Sequence, residues 1–425
     1  MQNILKTDSL SRRLFMQKSA AAFLGVTAIN GFATENDMQV AQRKGSAKHI
    51  IYLYMSGGMS HLDTFDLKPG HKNQGSTRAI KTNVDGIRIS EYLPKLSKHV
   101  DKMTIINSLT STAGAHEQAK YLMHTSYEQR ATIKHPGIGA WLNKYHGRLN
   151  KNLPGSVFIG GDSRIDGGGG FFEPEFEPLS INNPTSGLKN SRRRMSEKEF
   201  EHRLTMSEKL DKKFHEKYDV KQVRAYSQMY KDATRIMSSK DLEVFNLNNE
   251  SQKVKNSYGS DLFGQGCLLA RRLVEHDVRS VEVSLGGWDT HQNNFVSVHE
   301  KCAVLDQAMA ALLSDLQRVG KLKDTLVVLT TEFGRTPKIN QNSGRDHYPK
   351  AFSSVIAGGP TKGGTVYGKT SEGGEEVIDK PMKIQDFNAT IAYGLGMPVE
   401  ATLFSPSKRP FKVAHKGKPV KELFS

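Results

Sequence analysis

The segment LVVLTTEFGRTPKINQNSGRDHYP, residues 326–349, organises the chain. It opens with an unbroken apolar run at 326–329, which is typical of a strand buried on both faces of a parallel sheet. Glu332 follows the run, Gly334 turns the chain, and Asp346 and His347 come later in the same loop. Open α/β sheets place ligands and metals in the loops after such strands. The segment is therefore predicted to contribute several residues to a functional site.

The rest of the chain alternates short apolar runs with segments of helical periodicity. This alternation, with short loops, predicts an α/β fold: a three-layer sandwich around a mostly parallel sheet. Residues 188–256 are rich in charge and poor in glycine, which predicts a helical cap inserted into a domain spanning 46–425. Strands are predicted at 48–55, 103–109, 156–159, 279–285, 351–357 and 365–367, and helices at 260–275, 296–319 and 384–395.

The composition indicates which classes of binding partner are expected. The chain has 425 residues, a formal net charge of +16 and 37% hydrophobic residues, enough for one large domain with an insertion or for two domains. A positive balance favours anionic partners such as phosphate or sulfate esters or acidic polysaccharide. The alternative is a basic exported protein with no specific anionic partner. No segment matches a nucleic-acid-binding motif, so no nucleic acid is expected.

The N-terminal segment indicates export. Ser11-Arg12-Arg13-Leu14-Phe15, then Lys18 and an apolar stretch at 20–28, resembles a twin-arginine signal. The stretch is too short to span a membrane. Residues 1–45 are therefore assigned to a signal and linker, which implies passage through the twin-arginine translocase to the periplasm. Since no cleavage motif is evident, an uncleaved membrane anchor is the alternative.

The two cysteines, Cys267 and Cys302, leave two possibilities open. They could form a disulfide in an oxidising periplasm. The alternative is a pair of buried thiols, each within a predicted helix. Their spacing matches no metal-binding motif.

Carboxylates and imidazoles recur after several predicted strands, and a parallel sheet would bring them to one edge. Mixed oxygen and nitrogen donors suit Zn²⁺ or Mn²⁺, and oxygen-rich sets suit Ca²⁺. One or two divalent ions are therefore expected. For Asp63 a capping role is equally compatible with the sequence. The candidate ligands are His61, Asp63, Asp289, His291, Glu332, Asp346 and His347.

Four further residues are candidates for direct contact with substrate. Ser111 and Thr112 lie between a strand and a helix, where a nearby metal would lower the pKa of a hydroxyl nucleophile. A helix N-cap is the alternative for both, and Ser56 is a weaker candidate nucleophile. Arg335 and Arg345 could clamp an ester oxyanion, with ordinary salt bridges as the alternative.

Several motifs in a fixed order carry a family resemblance. The chain resembles the bacterial family named for domain of unknown function 1501, placed in the alkaline phosphatase and sulfatase superfamily. After the N-terminal signal the motifs are Met55-Ser56-Gly57-Gly58 with His61 and Asp63, Gly287-Trp288-Asp289-Thr290-His291, Thr331-Glu332-Phe333-Gly334-Arg335-Thr336-Pro337, Gly344-Arg345-Asp346-His347-Tyr348-Pro349, and Ala357-Gly358-Gly359 with Gly363 and Gly368.

The resemblance implies a parallel-rich sheet with one or two divalent metals at its carboxyl edge. It implies hydrolysis or transfer of phosphate and sulfate esters through a Ser, Thr or modified Cys nucleophile. By this resemblance, Asp289 and His291 correspond to one pair of metal ligands of the superfamily. His347, with Asp346, resembles the histidine ligand that comes late in the superfamily's sequences. Glu332 takes the place of the Asp in the superfamily's strand-end Asp-His pair.

The chain departs from the superfamily pattern at three points. Ser56-Gly57 replace the acid usual after the first strand, so His61 or Asp63 would substitute for it, and Phe333 replaces a histidine. No residue stands in the Cys/Ser-x-Pro-x-Arg context of formylglycine formation. The expected function is an exported metal-dependent hydrolase of phosphate or sulfate esters, sulfatase-like without the formylglycine motif. The alternative is a non-catalytic periplasmic binding or assembly protein that retains the fold.

Overall fold

The computed structural model describes residues 42–43, 45–160, 167–188, 196, 198–200, 202–207, 209, 230 and 232–425. The predicted twin-arginine segment lies outside these residues, as does much of the predicted cap at 188–256. The described part of that cap is helical at 198–200, 202–207 and 232–238. The cap as a separate unit therefore stays a prediction.

One sheet organises the described chain. Its nine strands are β1 His49–Met55, β2 Met103–Thr110, β3 Ser156–Ile159, β4 Leu179–Ile181, β5 Ser280–Leu285, β6 Thr325–Thr330, β7 Phe352–Ala357, β8 Thr365–Tyr367 and β9 Met382–Lys383.

The strand directions confirm the mostly parallel sheet. The spatial order is β8-β2-β7-β6-β1-β5-β3-β4, with β9 beside β2. Among the strand pairs of this sheet in the described chain, only those of β7 with β2 and with β6 are antiparallel. Strand β1 lies at the centre, parallel to β5 on one side and to β6 on the other. All residues of β1 and β6 are buried, which explains their unbroken apolar runs.

Helices cover both faces of this sheet. They are α1 His116–Thr125, α2 Ile138–His146, α3 Gln252–Tyr258, α4 Leu262–Glu275, α5 Asn294–Arg318 and α6 Ile384–Gly394. Along β1, Ile51, Leu53 and Met55 pack into one core with α4 and α5, while Ile50 and Tyr52 belong to the core on the other face, with α1, α2 and α6. This alternation makes the predicted three-layer sandwich.

Short elements complete the described chain. Four antiparallel pairs lie outside the main sheet: Ala79–Lys81 with Arg88–Ser90, Gly334–Arg335 with His347–Tyr348, Lys369–Thr370 with Val377–Asp379, and Leu403–Phe404 with Pro410–Phe411. The 3₁₀ turns are Leu96–Lys98, Val100–Lys102, Pro174–Phe176, Pro184–Ser186, Lys240–Phe245, Leu247–Asn249, Leu322–Asp324 and Lys421–Leu423.

Within the residues described, no helix combines the length and apolarity that a membrane crossing requires.

The two cysteines form no disulfide. Cys267 and Cys302 are both buried and free, which is the second of the two possibilities that the sequence left open. Burial raises the pKa of each thiol well above its ordinary value, which leaves both unreactive.

The polar turns after the central strands lie at the carboxyl edge of the sheet. Because β1, β5 and β6 are adjacent and parallel, the turns that follow them meet at this edge. Gly57, in the turn after β1, has φ +123 and packs against the backbone of the turn after β5. A Cβ at Gly57 would lie 2.5 Å from the backbone nitrogen of Asp289. Only glycine allows these two turns to approach so closely.

Replacing Gly57 with alanine tests this contact. Gly57→Ala should destabilise the protein by about 1–3 kcal/mol, because it strains the backbone and the clashing atoms are main-chain atoms that cannot rotate away. Gly286→Ala is the matched control, since a Cβ there meets nothing within 4 Å and no positive φ is required. Urea unfolding should show a lower midpoint for Gly57→Ala alone. Equal midpoints for both variants would show that the close approach is not needed.

Candidate metal centre

Asp289, in the turn after β5, is the centre of a cluster of basic side chains. Its Oδ1 lies 3.1 Å from His291 Nε2 and 3.3 Å from His347 Nε2. Its Oδ2 lies 3.3 Å from His116 Nε2. Arg335 also donates a hydrogen bond to Oδ1. Three imidazoles and one guanidinium thus converge on one half-exposed carboxylate.

His116, the first residue of α1, reaches the cluster from the loop after β2. Its Nδ1 lies 2.9 Å from Glu332 Oε1, at the end of β6. Glu332 is fully buried, and it also accepts hydrogen bonds from the Gly57 N–H at 2.8 Å and the Tyr54 hydroxyl at 2.9 Å. Burial alone raises the pKa of Glu332, but these hydrogen bonds hold it below its ordinary value. Glu332 is therefore ionised and fixes the orientation of His116.

His347 is placed by the short antiparallel pair that joins Gly334–Arg335 to His347–Tyr348. Its Nδ1 lies 2.9 Å from the carbonyl oxygen of Gly114. Partial burial, with the nearby charges of Arg335 and His116, lowers the pKa of His347, although the Gly114 bond opposes this. The imidazole is therefore neutral at neutral pH.

His291 forms the exposed side of the cluster. Its Nδ1 lies 2.7 Å from Asp346 Oδ1, and its Nε2 lies 3.0 Å from His347 Nε2. Asp346 is further held by the Asn340 side chain at 3.2 Å. The hydrogen bond from His291 lowers the pKa of Asp346, against a small opposing effect of burial. Asp346 therefore orients His291 as Glu332 orients His116.

The acceptors around the cluster fix the tautomer of all three histidines. A carboxylate faces Nδ1 of His116 and of His291, and a carbonyl faces Nδ1 of His347. Since carboxylates and carbonyls only accept hydrogen bonds, each Nδ1 carries the proton. In a neutral imidazole the other nitrogen, Nε2, then holds a lone pair. Nε2 is thus the atom that each ring turns towards Asp289, which is how metal-binding histidines are arranged.

The donor set fits a metal ion. One ligand atom each from His116, Asp289 and His347 all lie within 4.8 Å of one another. Ligands about 2.0–2.1 Å from a tetrahedral zinc are about 3.3 Å apart. The Nε2 atoms of the three histidines lie 3.1–3.3 Å from one or the other oxygen of Asp289, which is close to this value. His116 Nε2 is also buried and forms no hydrogen bond. A divalent cation would give it a partner.

Arg335 holds Asp289 in place. Its side chain is fully buried, and it donates to the carbonyls of Gly57, Gly58 and Arg345 as well as to Asp289. Partial burial would raise the pKa of Asp289, but Arg335 and the neighbouring histidines lower it to about 2. The predicted role of Arg335 as a clamp for an ester oxyanion is corrected: no part of its guanidinium reaches solvent.

Asp63 and Arg345 form a second buried unit, apart from the Asp289 cluster. Both side chains are fully buried, and Arg345 Nε lies 2.8 Å from Asp63 Oδ2. Arg345 also donates to the carbonyls of Thr336 and Asn73. The pair ties the loop after β1 to the loop after β6. Asp63 as a metal ligand and Arg345 as an oxyanion clamp are corrected to this structural role.

The remaining predicted residues lie at different distances from the centre. His61 is buried with its Nε2 on the carbonyl of Gly374 at 3.0 Å, and the structure does not bring it into the cluster. Glu332 and Asp346 contact histidine Nδ1 atoms, so they support ligands where the sequence predicted them as ligands. Asp289, His291 and His347 are brought together as predicted.

Ser111 and Thr112 lie in the loop that delivers His116. Ser111 Oγ accepts a hydrogen bond from the Ala113 N–H at 3.1 Å, and the Ser111 N–H donates to Pro349 O at 2.8 Å. Helix α1 starts later, with Ala115 as its N-cap, so neither residue caps it. Thr112 is exposed. Their role as nucleophiles stays a prediction.

His116 is the candidate ligand that sequence reasoning missed. It has no second histidine within a few positions, and Glu117 beside it is an ordinary acidic residue in the first turn of a helix. The available signal was its position at the start of a helix, directly after a strand and a polar loop. The strand β2 that carries it lies two places from β6, across the antiparallel β7.

Comparison with known proteins gives a family and distant structural likenesses. A family described as "Protein of unknown function (DUF1501)" matches residues 47–424. No curated protein sequence matches the chain.

Three solved structures illustrate the likenesses. A protein in the alkaline phosphatase superfamily from Vibrio parahaemolyticus matches with TM-score 0.41 and 10% identity, over 97% of this chain and 78% of that one. PsFucS1 sulfatase from Pseudoalteromonas sp. matches with 0.42 and 13%, over 88% and 74%. The lipoteichoic acid synthase LtaP from Listeria monocytogenes matches with 0.39 and 10%, over 90% and 78%. Likenesses this distant carry no argument about chemistry.

Removing the charge of Glu332 tests whether this carboxylate orients His116 for metal binding. Glu332→Gln should weaken zinc binding about 10- to 100-fold, because it lowers the basicity of a ligand through its hydrogen-bonded partner. Glu282→Gln is the matched control, since Glu282 contacts His124 Nε2 at 2.9 Å in a second carboxylate–imidazole pair outside the cluster. Zinc titration by calorimetry measures both. Equal zinc affinity in wild type and Glu332→Gln would contradict the assignment.

Proposed function

The chain belongs to the DUF1501 family, whose description assigns no activity, and from that premise we propose that it is a metal-dependent hydrolase of phosphate or sulfate esters. The observation that carries the proposal is the convergence of three histidine Nε2 atoms on Asp289, each imidazole held by an acceptor at Nδ1. Support of that kind is typical of a metal centre rather than of a structural ion pair.

Charge favours a divalent cation at this position. With neutral imidazoles, the cluster carries the three carboxylates of Asp289, Glu332 and Asp346 against the single guanidinium of Arg335. This leaves a net charge of about −2, which a divalent ion would neutralise. Without the ion, the same charge would repel an anionic ester. Binding of the cation and of the substrate are therefore coupled.

Each residue of the cluster has a defined task in this proposal. His116, His347 and Asp289 hold the ion, and His291 is either a fourth ligand or a contact for substrate, since it is the most exposed of the three histidines. A bound ion would polarise the ester oxygen and neutralise charge that develops on it. Arg335 keeps Asp289 ionised. The attacking group would be the hydroxyl of Ser111 or Thr112, or water.

The compartment forms part of the proposal. The segment at 11–28 resembles a twin-arginine signal, and that route carries proteins already folded. We therefore place the enzyme in the periplasm, either free or held by an uncleaved signal. Zinc, manganese and calcium remain the candidate ions, and the mixed nitrogen and oxygen donor set favours zinc or manganese over calcium.

A binding or assembly protein is the second candidate function. The observation that favours it is the burial of Arg335 and Arg345, the two residues predicted to clamp an ester oxyanion. A site with metal but without a cation for the transition state could bind an anion and not turn it over. The two candidates share the metal centre and differ in turnover.

Metal analysis with an ester panel separates these functions. Protein purified without chelator should carry about one divalent ion per chain and hydrolyse nitrophenyl phosphates or sulfates. His116→Ala should lose the ion and more than about 100-fold in kcat/KM, because it removes a ligand directly. His276→Ala, an exposed histidine at the end of α4, is the control and should retain both.

Two results would count against the proposal. If the purified protein holds no ion and His116→Ala leaves zinc affinity unchanged, the metal centre does not exist. If the ion is present but no ester of the panel is turned over, the binding function replaces the hydrolase.

A further inference from the structure

A lysine from α5 lies across the turn that leads to Asp289. A Cβ built on Gly287 would lie 2.5 Å from Lys301 Cε and 2.8 Å from its Nζ. The ammonium end of Lys301 therefore packs directly on Gly287, two residues before the central carboxylate. Gly287 has φ +91, a conformation that favours glycine. Because Gly287 has no side chain, the ammonium group can occupy this position.

Lys301 has no anionic partner in the described chain. No carboxylate within the described ranges makes an ion pair or a hydrogen bond with it, although its side chain is half-buried. The ammonium of Lys301 is therefore available to pair with a negatively charged group of a ligand.

The site otherwise lacks a cation for an anionic substrate. The guanidinium groups of Arg335 and Arg345 are fully buried and donate to protein oxygens. A divalent ion at the site would already face the carboxylates of Asp289, Glu332 and Asp346. The negative charge of a phosphate or sulfate group then needs a further positive group at the mouth of the site.

We infer that Lys301 and the Gly286-Gly287 turn form an anion subsite that binds a negatively charged group of the substrate. This inference rests on the proposed function. Two residues of extended chain span at most about 7 Å, so the ammonium lies within about 11 Å of the Asp289 Cα. The contacts of Asp289 described above do not include Lys301, so we place the subsite beside the metal centre. The substrate class is therefore an ester with a second anionic group near the scissile one, such as a polymer with repeated sulfate or phosphate groups.

Anion binding to the zinc-loaded protein tests the subsite without requiring turnover. Calorimetric titration with inorganic phosphate and with sulfate should give an affinity about 10-fold weaker for Lys301→Met, because a charge-assisted hydrogen bond is lost. Lys301→Arg should restore the affinity. Lys323→Met is the control, since Lys323 is exposed at the opposite edge of the sheet, just before β6.

The outcomes are distinct. Unchanged anion affinity in Lys301→Met, or no anion binding by the zinc-loaded wild type, overturns the subsite. A loss of zinc from Lys301→Met also overturns it, because Lys301 would then act on the metal centre. If the ester panel shows no turnover while Lys301→Met still weakens anion binding, the subsite stands and the hydrolase proposal fails.

Discussion

The buried guanidinium of Arg335 is the contact on which the site depends. It reaches the carbonyls of Gly57 and Gly58 after β1, the carbonyl of Arg345 after β6, and the carboxylate of Asp289 after β5. One side chain thus ties together the turns of the three central strands. A buried guanidinium is tolerated only when its donors are paired, so these turns must keep their relative positions.

The candidate metal centre is built on a layer of hydrogen-bond acceptors that hold its histidines. Glu332, Asp346 and the carbonyl of Gly114 each receive the Nδ1–H of one histidine. Because these acceptors come from separate loops, the directions of the three Nε2 lone pairs are set by the whole carboxyl edge rather than by one motif. Lys301 adds positive charge at the mouth of this edge.

Sequence reasoning reached the fold and part of the site. The apolar run at 326–329 and its neighbours specify a parallel sheet, and parallel strands must bring Asp289, His291 and His347 to one edge. The sequence did not show which polar side chains of the site are buried. The contacts that Glu332 and Arg335 make at the cluster come from other loops, so their roles as supports could not be predicted from the sequence. His116 was missed because a histidine in the first turn of a helix carries no metal-binding pattern, and only the tertiary fold brings it to Asp289.

The position of the bound ion tests the account most directly. Crystals grown with zinc, measured at the zinc absorption edge, should show one strong anomalous peak about 2.0–2.2 Å from His116 Nε2, His347 Nε2 and an Asp289 oxygen. The carboxylates of Glu332 and Asp346 should remain on the histidine Nδ1 atoms. A map without a peak at this position, or with zinc bound directly to Glu332, would contradict the account.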